Sequence, residues 1–501
     1  MALLIVLVVL SGALLAPGLL IGPSLDAAVF SHVGGRLLDG VAPYVGAWDH
    51  KPPGIYLAGA AAHGLLGWTG TWTADWLLSV AATAGIGAGV AAVLARLGVA
   101  GWPRGLAAGG ATILAGQYLL ALGGGLTEAP GAFLMAWALL LALGPASTAR
   151  ALGSGALVAM ALLLSLQLLP GGLIVLALAV VLHPAPARLR AAGGMAIGAA
   201  IPVAFVAGWL VAIGAMPAAI DAVATYSAAY RGSGEDYGAI LAAPVASWTV
   251  LASLFLITPA LLGAASVARI PQPGHAVGIA LLVWIGTSLI LFLVQGRFYA
   301  HYAIPLAVPL GVLAGLGLQR VAESLRRAGT SRRRAMVVLP LLVTLVISTV
   351  AGGVSAAMEL AMVSDKATRT NAVAERIEHL PGATLLVWGN EPRLYDLTGR
   401  SPATRYSYLS PLTTPGYSTA EMVADVLHEL TTDPPAVVVD AGSDGPGEPG
   451  FLPLLIDRPI ATDGRDLDLL DPLRAFIAEH YVLIDTVAGW PIYVLGDDLK
   501  Q

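Results

Sequence analysis

Charged residues are scarce in this chain. They make up 11% of its 501 residues, and hydrophobic residues make up 57%, whereas an average soluble domain is about one quarter charged. The scarcity is uneven, because residues 1–360 hold only 10 of the 31 acidic residues and 16 of the 26 basic ones. We therefore predict an all-α polytopic membrane domain over residues 1–360 and a soluble α/β domain over residues 361–501.

Cysteine is absent, which excludes disulfides, thiolate metal sites and a cysteine nucleophile. The sequence also lacks a phosphate-binding P-loop and a glycine-rich dinucleotide fingerprint after a strand. Its net charge of −5 comes mostly from the soluble part and argues against a nucleic-acid partner. We therefore expect neither a dinucleotide cofactor nor a nucleotide-sugar donor.

Long apolar runs predict about eleven transmembrane helices. Nine of these runs lie near residues 2–22, 74–97, 104–122, 127–144, 192–213, 246–268, 276–295, 300–318 and 336–356. Another run, 152–183, is too long for one straight crossing, and Pro170 predicts its break into two short helices. The first run lacks a basic start, so we interpret it as a retained helix, with a cleaved signal peptide as the alternative.

Basic residues orient these helices. With the N-terminus in the cytoplasm, twelve basic residues fall in cytoplasmic connections and four in outer ones, as the positive-inside rule requires. The twelve are Arg96, Arg104, Arg150, Arg188, Arg190, Arg269, Arg320, Arg326, Arg327, Arg332, Arg333 and Arg334. This orientation places the C-terminal domain outside the plasma membrane. Nine of the ten acidic residues before position 361 also fall on or near the outer side, which favours an outward-facing polar site.

The soluble domain reads as alternating strands and helices. Strands are predicted at Thr384–Trp388 and 436–440, an amphipathic helix at 419–430, and a hairpin at 481–485 with 491–495. Asn390 follows the first strand in a Gly-Asn-Glu-Pro segment. That segment is either an ordinary turn at a strand end or the edge of a binding site.

Two outer loops are long, 23–73 and 214–245, and the first carries most of the chemistry. It begins with Asp26 and an amphipathic stretch to Leu38, and later contains Asp49, His50 and Lys51 before two prolines. Lys51 is the only lysine in the first 360 residues. A lysine ammonium is a compact charge suited to a phosphate; the alternative is an interfacial lysine that reaches the headgroups.

The segment from Asp26 through Gly40 to 48–54 (Trp-Asp-His-Lys-Pro-Pro-Gly) resembles the first outer loop of GT-C glycosyltransferases. It is most similar to the group of protein O-mannosyltransferases and lipid A aminoarabinose transferases. Those enzymes transfer a sugar from a polyprenyl phosphate on the outer leaflet. The resemblance covers roughly residues 1–320, including a segment at 296–302. It implies that Asp26 is the catalytic acidic residue and that Lys51 contacts the lipid phosphate.

The sequence departs from the family pattern at two places in this loop. Ala27 follows Asp26 where many relatives have a second acid, and Asp49-His50 precedes Lys51 where the aminoarabinose enzymes have a glutamate. The metal site of some relatives therefore does not transfer to these positions. A divalent cation stays possible, and we predict no other cofactor.

Sugar transfer needs a base for the acceptor hydroxyl, cations for the departing phosphate and exclusion of water. We assign Asp26 as the base, with a helix N-cap as its alternative role. Lys51 and Arg297 are the predicted phosphate clamps. The remaining candidates for the donor or acceptor pocket are Tyr44, Asp49, His50, Glu128, Tyr299, His301 and Tyr302. Glu128 also has a second interpretation, as an acid that starts a helix.

The sequence thus predicts a cell-envelope glycosyltransferase that moves a hexose or pentose from a polyprenyl-phosphate sugar to an acceptor hydroxyl, with inversion. The acceptor is a glycan, a lipid or a protein. A polytopic secondary transporter is the main rival interpretation, although no mid-membrane ionisable pair is visible. A polymerase or ligase that uses a pyrophosphate-linked glycan is a second rival, and a non-catalytic assembly factor is a third.

Overall fold

The structure is a computed structural model, and it describes residues 1–66, 71–232, 244–295, 299–327, 331–441 and 468–496. Helices dominate the first 378 residues. They are α1 Ala2–Ile21, α2 Leu25–Leu38, α3 Gly54–Leu66, α4 Thr71–Arg96, α5 Trp102–Gly116, α6 Tyr118–Ala121, α7 Glu128–Ala142, α8 Thr148–Leu164, α9 Leu169–Val181, α10 Ala185–Ala212, α11 Met216–Ile220, α12 Ser227–Gly232, α13 Pro244–Ser266, α14 Gly274–Gln295, α15 Ala307–Arg327 and α16 Ser331–Glu378.

Within the described residues, seven helices are long and apolar enough to cross a membrane, namely α1, α4, α10, α13, α14, α15 with the turns before it, and α16. Each of the eleven predicted apolar runs overlaps a helix, and the other four runs correspond to the shorter helices α5, α7, α8 and α9. The predicted all-α polytopic class is therefore confirmed.

The predicted break in the 152–183 run is present, but it lies before Pro170. Helix α8 ends at Leu164, a single 3-10 turn covers Leu166–Leu168, and α9 begins at Leu169. Pro170 stands in the first turn of α9, where a missing N–H costs nothing. The proline therefore starts the second helix instead of interrupting the first.

Glycines let the membrane helices approach closely. A Cβ on Gly155 of α8 would collide with the backbone of Met195 in α10, and a Cβ on Gly198 of α10 would collide with that of Leu152 in α8. The two helices therefore pack backbone against backbone at this crossing, as expected for small residues at membrane interfaces.

A buried polar cluster fixes the two helices of the first outer loop against the membrane domain. Ser31 Oγ of α2 lies 3.1 Å from His63 Nε2 of α3. The same nitrogen lies 3.5 Å from Asp75 Oδ2 of α4. Because all three residues are buried, the cluster sets the position of α2 and so of the Asp26 at its start.

The C-terminal domain contains a five-stranded mixed sheet. Its strands are β1 Thr384–Trp388, β2 Ser401–Pro402, β3 Val437–Asp440, β4 Tyr481–Val487 and β5 Trp490–Leu495, in the order β2-β1-β3-β5-β4. β1 pairs in parallel with β2 and β3, and β5 pairs antiparallel with β3 and β4. The predicted strands and terminal hairpin are confirmed, whereas the two-residue β2 was not predicted.

Helices cover both faces of this sheet. The helices here are α17 Arg393–Thr398, α18 Ser410–Thr413, α19 Ala420–Thr432 and α20 Asp471–His480. The end of α16, through Val373 and Ile377, packs on one face, and Leu430 and Ile477 of α19 and α20 pack on the other. β1 and β3 are therefore buried on both sides, which suits their valine- and leucine-rich sequences.

Candidate active site

Asp26 stands in the first turn of α2. Ser24 is the N-cap, and its side chain accepts a hydrogen bond of 3.3 Å from Ala27 N. The alternative assignment of Asp26 as the N-cap is therefore wrong. Its carboxylate is exposed and lines two neighbouring cavities, so it is available to a substrate.

Two tyrosines hold the backbone of Lys51. Tyr44, which has a left-handed φ of 67°, donates a hydrogen bond of 2.8 Å from its hydroxyl to Lys51 O. Lys51 N donates to Tyr56 Oη at 3.1 Å. Tyr44 is buried, and its hydrogen bond shapes the loop that carries Lys51. Its predicted place in the donor or acceptor pocket stays a prediction.

Asp49 is the buried anchor of the same loop. Its Oδ2 accepts a 2.7 Å hydrogen bond from Tyr56, its Oδ1 accepts a 2.8 Å hydrogen bond from Tyr408, and His50 Nδ1 lies 3.2 Å from Oδ1. Burial raises the pKa of Asp49, but His50 and the two tyrosine hydroxyls outweigh it and lower this pKa to about 2. Asp49 is therefore an ionised residue that ties the loop to the C-terminal domain.

The ammonium of Lys51 points toward two aromatic rings and three acids. Its Nζ lies 5.9 Å from the ring centroids of both Phe30 and Tyr302. Burial lowers the pKa of Lys51, but interactions with Tyr302, Glu128 and Asp26, together with Asp49, outweigh it and raise the pKa. Among the described residues Lys51 makes no ion pair, so a charged ammonium is available for an anion.

Glu128 is buried at the start of α7, with 1% of its surface exposed. Its Oε1 has no hydrogen-bond partner in the part of the chain that the structure describes. An unsatisfied carboxylate at a membrane helix end is costly. Glu128 starts helix α7, as the second interpretation expected. It also acts electrostatically on Lys51, and its place in the donor or acceptor pocket stays a prediction.

The turn before α15 contributes a second aromatic group. His301 is buried, its ring stacks on that of Tyr299 with a centroid distance of 5.4 Å, and Tyr302 meets it edge-on at 4.7 Å. Tyr299 Oη lies 2.6 Å from Tyr230 Oη, which joins this turn to the second outer loop. Arg297 lies outside the described residues, so its role as a phosphate clamp stays a prediction.

Two cavities meet at Asp26 and Tyr299, which line both of them. The larger, of about 640 Å³, is bordered by the start of α2, by Ala300 and His301, and by the stretch of α16 around Val363. The smaller, of about 110 Å³, is lined by Leu25, Asp26, Val29, Phe30, Asp49, His50, Lys51, Tyr226, Tyr230, Tyr299, Asn390, Tyr408 and Ser410. The predicted base and phosphate ligand thus share one small polar cavity.

The sequence did not predict how far the C-terminal domain enters this site. Trp48 N donates a 2.8 Å hydrogen bond to Arg405 O, and the Trp48 ring contacts Tyr226 at 4.8 Å and Tyr408 at 5.9 Å. Tyr417 also donates a 2.6 Å hydrogen bond to Asp221. The two outer loops and the C-terminal domain therefore share one aromatic core.

The described residues around Asp26 and Lys51 offer few free carboxylate or histidine ligands for a metal ion. The described residues contain no group of three or more histidine, aspartate or glutamate side chains placed to hold one. Both carboxylate oxygens of Asp49 already accept tyrosine hydrogen bonds. Glu128 Oε1 is a buried carboxylate oxygen near Lys51 that has no hydrogen-bond partner among the described residues, so it could accept a cation. A bound divalent cation stays a prediction.

The membrane helices, the two loop helices that carry the site and the C-terminal α/β domain together form a fold that is similar to that of a GT-C glycosyltransferase. Two solved structures with this fold are those of ArnT, a lipid A aminoarabinose transferase, from Cupriavidus metallidurans. The apo form is 13% identical, with a TM-score of 0.56, and the match covers 94% of this chain and 93% of that one. The form bound to undecaprenyl phosphate is 14% identical, with a TM-score of 0.57, over 98% and 97% of the two chains.

At this identity the likeness is one of fold, and it confirms the GT-C-like architecture that the first loop predicted. No protein-family profile matches the chain, and no curated protein sequence matches it.

Proposed function

We propose that this protein is a membrane glycosyltransferase that moves a sugar from a polyprenyl-phosphate donor to an acceptor hydroxyl on the outer face of the membrane. The observation that carries the proposal is the shared cavity of Asp26 and Lys51. The likeness to an ArnT structure that holds undecaprenyl phosphate supports a polyprenyl-phosphate lipid as the partner. The arginine bias supports the outward orientation.

Asp26 and Lys51 have different roles in the proposed reaction. The Asp26 carboxylate removes the proton from the acceptor hydroxyl while the acceptor oxygen forms its bond to the anomeric carbon. The bond between that carbon and the phosphate oxygen breaks, and the electron pair leaves with the polyprenyl phosphate. Lys51 stabilises the charge that develops on this phosphate. Attack opposite the leaving group inverts the anomeric centre.

The walls of the cavity support this division. Tyr226, Tyr230 and Tyr299 line it with aromatic rings, and such walls exclude water, which would compete with the acceptor and weaken each electrostatic contact. Glu128 places a negative charge near Lys51. We propose that this charge favours departure of the doubly charged product phosphate.

Binding of undecaprenyl phosphate tests the phosphate site separately from catalysis. We expect Lys51→Met to weaken this binding by about 10- to 100-fold, because a charge-assisted contact to a phosphate is lost. Arg36→Met is the matched control, since Arg36 pairs with Asp39 on the exposed end of α2, and it should bind like wild type. Equal affinity of the Lys51→Met variant and wild type would remove Lys51 as the phosphate ligand.

A further inference from the structure

The C-terminal domain forms one wall of the small cavity. Asn390, Tyr408 and Ser410 line it from this domain, together with Asp26 and Lys51 from the first outer loop. A C-terminal domain without a role in the reaction would not be expected to contribute polar side chains to the cavity of Asp26 and Lys51. These side chains therefore raise the question of what they bind.

Asn390 and Ser410 are held together and held against the loop of Lys51. Leu409 N donates a 3.0 Å hydrogen bond to the carbonyl of Gly389, which has a left-handed φ of 137° just after β1. This hydrogen bond holds the next residues, Asn390 and Ser410, close to each other. The hydrogen bond from Tyr408 to Asp49 then fixes both relative to Lys51.

Both side chains are half-buried and have unused hydrogen-bonding capacity. Among the described residues, neither the Asn390 amide nor the Ser410 hydroxyl makes a hydrogen bond. An amide and a hydroxyl each combine donor and acceptor groups, which is the pattern that sugar hydroxyls match. The tyrosine rings on the same cavity add apolar surface beside a few polar groups, as in small-molecule sites.

The location of Asn390 and Ser410 indicates that they contact the sugar of the donor and not its lipid chain. In a polyprenyl-phosphate sugar the sugar is joined directly to the phosphate, so a phosphate at Lys51 leaves the sugar within the same small cavity. The larger cavity of about 640 Å³ is also lined by Asp26 and has room for the acceptor or the lipid chain.

We propose that Asn390 and Ser410 bind hydroxyl groups of the donor sugar and that the C-terminal domain thereby selects which sugar is transferred. This inference rests on the proposed function. It makes the Gly-Asn-Glu-Pro segment a binding edge and not only a turn at a strand end.

The test measures how tightly Asn390→Ala and Ser410→Ala bind two lipids. One is bare undecaprenyl phosphate, and the other is the undecaprenyl-phosphate sugar that wild type uses best. Each variant should bind the sugar-bearing lipid about 3- to 30-fold more weakly, the effect of one or two lost hydrogen bonds, and bare undecaprenyl phosphate within about 2-fold. Both variants should also discriminate less between epimeric donor sugars. Ser410→Thr, which keeps the hydroxyl, should restore wild-type values.

Ser401→Ala, in β2 of the same domain and outside the cavity, is the matched control. The inference is overturned by variants that bind both lipids as wild type does, or that lose both lipids equally. A wild-type protein that binds neither lipid refutes the proposed function itself, and that result is distinct from the first two.

Discussion

Removal of one hydroxyl, in Tyr408→Phe, tests whether the C-terminal domain positions the phosphate-binding loop. Tyr408 Oη donates a 2.8 Å hydrogen bond to Asp49 Oδ1, and Asp49 has 1% of its surface exposed. Its pKa falls from 3.8 to about 2, a shift that corresponds to a net stabilisation of about 2 kcal/mol after the burial penalty is set against the contributions of its partners. A hydrogen bond to a buried charge contributes about 1.5–3 kcal/mol.

We therefore expect Tyr408→Phe to lower the free energy of unfolding by about 2 kcal/mol. We also expect a loss of about 10-fold or more in kcat/KM, because Lys51 follows two residues after Asp49 and its placement loosens. Unfolding in detergent micelles is followed by tryptophan fluorescence, since Trp48 packs on Tyr408. In an Asp49→Asn background the same change should cost only about 1 kcal/mol, because the lost hydrogen bond is then neutral.

Tyr493→Phe is the control, because Tyr493 is buried in the same domain and its hydroxyl bonds to no described residue. It should change the free energy of unfolding by less than about 0.5 kcal/mol. Wild-type stability and wild-type kcat/KM in Tyr408→Phe would refute the claim that this contact holds the loop of Lys51.

Three further predictions concern charge and packing. Folding lowers the pKa of Asp49 from 3.8 to about 2. Its contribution to the free energy of unfolding is therefore complete above pH 3.8 and is lost as the pH falls from there through about 2. Asp49→Asn should remove this pH-dependent part of an acid unfolding curve. Glu128→Gln should strengthen undecaprenyl phosphate binding by about 3-fold and lower kcat through slower product release, since one negative charge near the phosphate site disappears; weaker binding would instead show that Glu128 orients Lys51 or holds a cation, and Glu323→Gln at the far end of α15 is the control. Gly155→Val should destabilise the α8–α10 crossing by about 1–3 kcal/mol in thermal unfolding, whereas Gly208→Val, with open space at its Cβ, should not; equal melting of both variants would show that this crossing tolerates a side chain.

The sequence predicts the membrane helices well because their signal is local. A run of about twenty apolar residues is visible without knowledge of its partner. The break before α9 lies a few residues earlier than predicted. Local sequence did not fix its position, because a proline such as Pro170 can either break a helix or stand in its first turn. Helix α16 also continues to Glu378, since the exposed turns after residue 360 keep helix-forming residues.

The contribution of the C-terminal domain was much harder to predict. Asp49 and Tyr408 are 359 positions apart in the chain, and a single sequence holds no local pattern that pairs them. The tyrosines at 406, 408 and 417 lie in a segment rich in serine, threonine and proline that has no clear hydrophobic periodicity, so the segment resembles an ordinary loop. Asp26 and Lys51 were proposed from the first-loop motif, because both lie in one continuous segment whose pattern resembles a known family. The structure places both beside one cavity, and their roles stay predictions.

Asp26 is the residue on which the proposed reaction depends most directly. The decisive measurement is release of undecaprenyl phosphate from a panel of undecaprenyl-phosphate sugars by wild type, Asp26→Asn and Asp39→Asn, the last being the exposed acid at the other end of α2. We predict that wild type and Asp39→Asn turn over at least one donor at similar rates, and that Asp26→Asn binds that donor but turns it over about 100- to 10,000-fold more slowly. Equal turnover by Asp26→Asn and wild type would contradict the assignment of the base, and no turnover of any donor by wild type would contradict the proposed reaction.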